Sequence, residues 1–72
     1  MEREVKIRGE MIRLGQLLKL AGLIDAGGEA ASYLDSHRVL VNGEADGRRG
    51  RQLHPGDEVA VGDTTIRIVA SG

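Results

Sequence analysis

Arg38-Val39-Leu40-Val41-Asn42-Gly43-Glu44-Ala45-Asp46-Gly47-Arg48-Arg49-Gly50-Arg51 is the stretch whose reading fixes the rest of the chain. Val39 and Val41 alternate with Arg38, Leu40 and Asn42, so the two valines share one face of a strand and the other three residues take the opposite face. Asn42-Gly43 then supplies a two-residue turn, because both positions accept positive φ, and such a pair after an alternating segment is the strongest short-range hairpin signal. The return strand is expected to run into Arg48, Arg49 and Arg51, three arginines within four residues. Guanidinium groups are planar, permanently charged and able to bond two oxygens at once, which suits them to phosphate. The hairpin should therefore deliver fixed positive charge to one place.

Toward the N-terminus, Ala30, Tyr33 and Leu34 recur at helical spacing and predict a short helix over about residues 28–35. Ala26 stands where a capping box wants serine or threonine, which leaves Asp25 or Gly27 to cap. The Gly27-Gly28 pair reads as ordinary turn chemistry ahead of an anion site. Earlier still, Leu14, Leu17, Leu18 and Ala21 predict a helix from Ile12 that ends on Gly22, with Arg13, Gln16 and Lys19 on its other faces. On spacing alone Lys19 is a solvated helix lysine. Glu4-Val5-Lys6-Ile7-Arg8 alternates charged and apolar residues, the pattern of a strand with one wet face at a sheet edge.

Toward the C-terminus, His54-Pro55-Gly56-Asp57 is a β-turn signature. A second hairpin follows over residues 58–69 around Gly62-Asp63, with Val59, Val61, Ile66 and Ile68 inward, and Ala70-Ser71-Gly72 is expected to fray. The sum is an α+β domain, residues 1–72, with two short helices packed on a small, mainly antiparallel sheet.

Composition narrows the function. The chain has 72 residues and no cysteine, so aliphatic packing must hold it, and a core of this size supplies about 3–5 kcal/mol net. No apolar run approaches the roughly 20 residues of a membrane span, and Met1-Glu2-Arg3-Glu4 is too charged for a signal peptide, so a cytoplasmic location is expected. The two histidines, His37 and His54, are separated by the whole hairpin and match no metal-binding spacing. Ser32 and Ser36 lack a nucleophile-elbow context, and no P-loop is present. The expectation is a protein that is not an enzyme and uses no cofactor, metal or small-molecule substrate.

Net charge is −1, yet its distribution is uneven: four arginines face Glu44 and Asp46 between positions 38 and 51, whereas Asp57, Glu58 and Asp63 follow with only Arg67 to balance them. From pattern alone two readings stay open. The arginines form a phosphate-binding surface, or they are a solvated tip that discourages edge-to-edge aggregation.

The ordered series 13–23, Gly28-Glu29-Ala30, Val39-Leu40-Val41-Asn42-Gly43-Glu44, Arg48-Arg49-Gly50-Arg51-Gln52-Leu53 and Gly56-Asp57-Glu58-Val59 resembles the S-four-like RNA-binding domain, named for ribosomal small-subunit protein S four. It is most similar to small stand-alone bacterial members and covers nearly the whole chain. The resemblance implies an L-shaped surface, made by the helix pair and the following hairpin, that grips structured RNA. Carried over by position, it assigns RNA-facing roles to Lys19, Arg48, Arg49 and Arg51, a turn role at that surface to Asn42 and Gly43, and a nearby variable position to Arg38. The sequence differs from the family pattern at Ala31, Gln52 and Leu40, where basic or polar residues are usual, and at His37 and Ala26, where a glycine and a capping serine are.

The expected activity is recognition of structured RNA, ribosomal RNA or ribosome assembly being the class the resemblance implies. Tyr33 is the only aromatic residue, so a stacking platform for single strands is not available. The rival expectation is a protein-interaction module of the same fold, using outward Leu40 and the acidic C-terminal hairpin.

Overall fold

The computed structural model describes residues 1–71. Strands β1 (Glu2–Ile7) and β2 (Ile12–Arg13) precede helix α1 (Leu14–Leu20). A single 3-10 turn (Gly27–Glu29) leads into helix α2 (Ala30–Ser36). The remaining strands are β3 (Val39–Val41), β4 (Glu44–Ala45), β5 (Gln52–Leu53), β6 (Glu58–Val61) and β7 (Thr64–Ala70). A five-stranded sheet has the order β1-β7-β6-β3-β4, and β2 pairs with β5 in a separate two-stranded ribbon. All pairings are antiparallel except β1 with β7, which is parallel and registers Val5 with Ile68.

One face of the sheet is buried under the helices. Val5, Ile7, Val39, Val41, Val59, Val61, Ile66 and Ile68 point into it and meet Leu14, Leu17 and Leu18 of α1, as period-two and helical spacing require. Leu53 is fully buried too, which anchors the small ribbon in the same core.

Several turns follow local chemistry. Asn42 and Gly43 have φ of +50° and +87°, with Val41 paired to Glu44, so the first hairpin closes on a two-residue turn with both central residues left-handed. At the end of α1, Gly22 has φ +79°, its N–H donates to Lys19 O and Leu23 N–H donates to Leu18 O, the paired bonds of a Schellman cap. Gly56, at φ +99°, sits at the third position of the 54–57 turn.

The structure corrects four local expectations. Ile12 and Arg13 are extended rather than helical, because Leu53 and Gln52 offer them backbone partners. Neither Asp25 nor Gly27 caps α2: Glu29 holds the N-cap position, and its carboxylate reaches back to accept from Asp25 N–H at 3.1 Å. Ala70 ends β7 opposite Ile7 and Ser71 N–H donates to Ile7 O, so neither is frayed, and Gly72 lies outside the described residues. Finally, β4 stops at Ala45, so the arginines lie on the loop after the hairpin and not on its return strand.

Candidate nucleic-acid interface

The loop of residues 46–51 is held at three points. Asp46 N–H donates to Val39 O at 3.0 Å, which ties its start to the sheet. Its middle and end cap α1: Gly15 N–H donates to Arg49 O and Leu14 N–H to Arg51 O, both at 2.9 Å. Two of the amides that a helix start leaves without partners are thereby satisfied by the arginine loop. Beyond it, β5 pairs with β2 directly before α1. At the helix start, Gln16 Oε1 also accepts from Arg13 N–H at 3.2 Å, half of a capping box, since a guanidinium has no acceptor with which to complete it.

Gly15 makes this approach possible. A Cβ there would lie 3.3 Å from Ala30 Cβ and 3.5 Å from both Arg49 Cβ and Arg49 O. α1, α2 and the loop therefore converge where α1 carries no side chain.

This convergence opens into a cleft of about 820 Å³ lined by residues from β1, the 8–13 connection, α1 and the loop. Lys6, Arg8, Arg13, Lys19 and Arg49 line it, and no carboxylate does among the described residues. None of these five enters an ion pair among the described residues, and all five are exposed. Met11 and Leu20, two of the three exposed large hydrophobic residues among those described, lie in the same cleft.

The residues singled out from the sequence divide into groups. Lys19 and Arg49 are brought together in the cleft. Arg48 and Arg51 both bond Asp46: its Oδ1 accepts from Arg48 N–H at 3.0 Å and Arg48 Nε at 3.1 Å, while Oδ2 accepts from Arg48 Nη2 at 2.9 Å and Arg51 Nη1 at 3.0 Å. The side-chain and backbone hydrogen bonds from Arg48 hold the Asp46 carboxyl well below the usual carboxylate range, overcoming its partial burial. Asn42 turns its amide inward: Nδ2 donates to Asp57 Oδ1 at 3.1 Å and Oδ1 accepts from Glu58 N–H at 2.9 Å. Its partner in the turn, Gly43, is exposed and contributes backbone only, and Arg38 is exposed between α2 and β3. None of these last three lines the cleft.

Lys6, Arg8 and Arg13 were not singled out by sequence reading. Their signal was present, since Lys6, Arg8, Arg13 and Lys19 are interrupted by only one acid, Glu10. Strand and helix periods assigned them to separate wet faces.

Two departures from the pattern of the resemblance, His37 and Leu40, have local explanations. His37 is extended at φ −128°, a conformation that does not require glycine, and its N–H donates to Tyr33 O while its ring stacks on Tyr33 with centroids 4.0 Å apart. Leu40 is half-buried, paired to Ala45 on one side and Ala60 on the other, and Glu58 is bonded to Arg67 at 2.7 Å. The outer sheet face thus offers little free apolar area.

Against known proteins, the family model described as S4 domain matches residues 5–69. The chain is also 52% identical over 61 residues to a Bacillus subtilis (strain 168) protein named "Probable ribosome maturation protein RlbA", the match covering 85% of this chain and 86% of that protein.

Proposed function

The chain belongs to the S4 domain family, and from that membership we propose that it is a non-enzymatic, cytoplasmic module that binds structured RNA, with ribosomal RNA during ribosome maturation as its target. The observation that carries this reading is the cleft lined by five cations that, among the described residues, have no ion-pair partner and no carboxylate beside them, on a protein whose net charge is −1. Segregation of that kind focuses potential on a polyanion. Lys19, Arg49, Arg13, Arg8 and Lys6 supply its charge, and Arg48 and Arg51 lie on the same loop as Arg49. Asn42 and Gly43 serve by fixing the turn that launches the loop. The relative's name supplies the ribosomal direction of the proposal. The half-buried state of Leu40 gives no support to the protein-interaction alternative.

The test is the affinity for a folded ribosomal-RNA fragment across a salt series. With four or five cations on phosphates, log affinity should fall against log salt with a slope of roughly −3 to −4. Arg49→Glu, which leaves the backbone carbonyl in place, should weaken binding and make the slope shallower. A slope near zero, or equal affinity of the folded variant, would overturn the reading.

A further inference from the structure

Asp46 is an acid among arginines, and a site built by charge alone would do better without it. It is nevertheless the most engaged carboxylate among the described residues, with four hydrogen bonds from two arginines. Its side chain is 9% exposed, against 73% for Arg48 and 35% for Arg51. From these relations we infer that Asp46 is a positioning residue that holds Arg48 and Arg51 as a rigid pair of phosphate-binding forks, and so sets a preference for folded over unstructured RNA. The inference rests on the RNA-binding reading above and deepens it.

The carboxylate is itself immobilised. Its backbone N–H is bonded to Val39 O in the sheet, and the turn that follows, Arg48 to Arg51, is closed by Arg51 N–H on Arg48 O at 3.0 Å and fixed to the helix by Leu14 N–H on Arg51 O. Arg48 uses its Nε and one Nη2 hydrogen on Asp46, which leaves the Nη1–Nη2 edge of the fork for an incoming oxygen pair. Arg51 spends one donor of five. Both side chains thus keep a phosphate-binding edge while losing their freedom before RNA arrives, and ordering that is already present in the free protein is not charged against binding.

Folded RNA holds its phosphates at fixed spacing and gains from forks fixed to match it. An unstructured strand moves its own phosphates to any arrangement of cations, so it responds to charge and little to positioning. Removing the Asp46 charge adds one positive charge to the loop for both ligands but releases the forks. The two RNAs should therefore respond differently.

The experiment compares Asp46→Asn with the unaltered protein at one salt concentration, using a folded ribosomal-RNA fragment and an unstructured uridine-rich strand of equal length. The asparagine is close to isosteric and its amide oxygen still accepts from Arg48 N–H. The ratio of the two affinities should fall by about tenfold, as expected from two side chains that must be ordered anew. Simple loss of stability lowers both affinities together, and simple gain of charge raises both, so neither moves the ratio in this way. Arg48→Lys, which keeps the charge and loses the fork, should lower the ratio as well, and it serves if Asp46→Asn fails to fold by circular dichroism. A ratio that is unchanged or raised in the folded variant overturns the inference, as does an unaltered protein that binds both RNAs equally. Failure of the unaltered protein to bind either RNA overturns instead the reading on which the inference rests.

Discussion

The backbone N–H of Gly15 donates to the carbonyl oxygen of Arg49 at 2.9 Å, so the second residue of α1 holds the central arginine of the loop. The approach is close, and a Cβ added at Gly15 would crowd Ala30 Cβ at 3.3 Å, tight enough that the neighbour must shift by a few tenths of an ångström. Gly15→Ala should be close to neutral in stability, because the tight contact offsets a gain in helix propensity of up to about 1 kcal/mol. Gly15→Val brings two more carbons into the same space and should cost about 1–3 kcal/mol. Urea unfolding of both variants measures this, and a valine variant as stable as the glycine protein would show that the helices and loop give way freely.

Arg13 separates the cleft from the arginine cluster as the seat of RNA binding. It lines the cleft and is exposed, and its side chain forms no ion pair among the described residues, whereas Arg38 is equally exposed and lies outside the cleft. Arg13→Glu should weaken RNA binding and make the salt slope shallower by about 1, while Arg38→Glu should have the smaller effect. The reverse ranking would move the interface to the strand face.

Asn42 contributes to stability. Its amide bridges the first hairpin turn to Asp57 and to Glu58 N–H, and its φ of +50° is one that asparagine tolerates. Asn42→Ala loses both bonds and adds strain, for an expected cost of about 1–3 kcal/mol. RNA affinity of the folded fraction should change little. A large loss of affinity without loss of stability would instead make the amide a contact.

Acid should unlatch the loop. Hydrogen bonds from Arg48 hold Asp46 low, and at Asp57 burial pulls upward but is outweighed by the His54 N–H and the Asn42 amide. In the unfolded chain both carboxylates take up protons near pH 4, above their folded-state values, so acid favours unfolding. The stability they contribute is fully present above about pH 5 and is lost as pH falls through the folded-state values. The urea midpoint measured across pH 2–7 should show this decline, and Asp46→Asn should flatten its Asp46 share. An undiminished slope in that variant would assign the acid sensitivity elsewhere.

What could be read from the sequence was what depends on neighbours. Asn42-Gly43 and Gly22 adopt left-handed backbone because of what they are, and the alternation of Val39, Val41, Val59 and Val61 identifies the buried sheet face without tertiary information. The arginine loop was harder. Nothing local says that β4 ends after two residues, because its end coincides with Asp46 catching Arg48 and with two carbonyls capping a helix some 35 positions earlier, as the pairing of Arg49 with Gly15 shows. Lys6, Arg8 and Arg13 belong to the cleft because a ribbon two residues long, β2 with β5, draws the start of α1 beside the loop. A ribbon so short leaves no periodicity to detect.

The parallel pairing of β1 with β7 bears on how the chain reaches this structure. Glu2 finds its register partner at Thr65, 63 positions later, whereas Val61 and Thr64 meet across a tight turn. Closing the longer span costs chain entropy that the C-terminal hairpin does not pay, so the hairpin can form early while β1 docks late. During synthesis β1 therefore leaves the ribosome well before the strand it pairs with. Until β7 is available, Val5 and Ile7 have no sheet to join, and charges such as those of Glu2, Glu4, Lys6 and Arg8 disfavour pairing of an open strand with another chain.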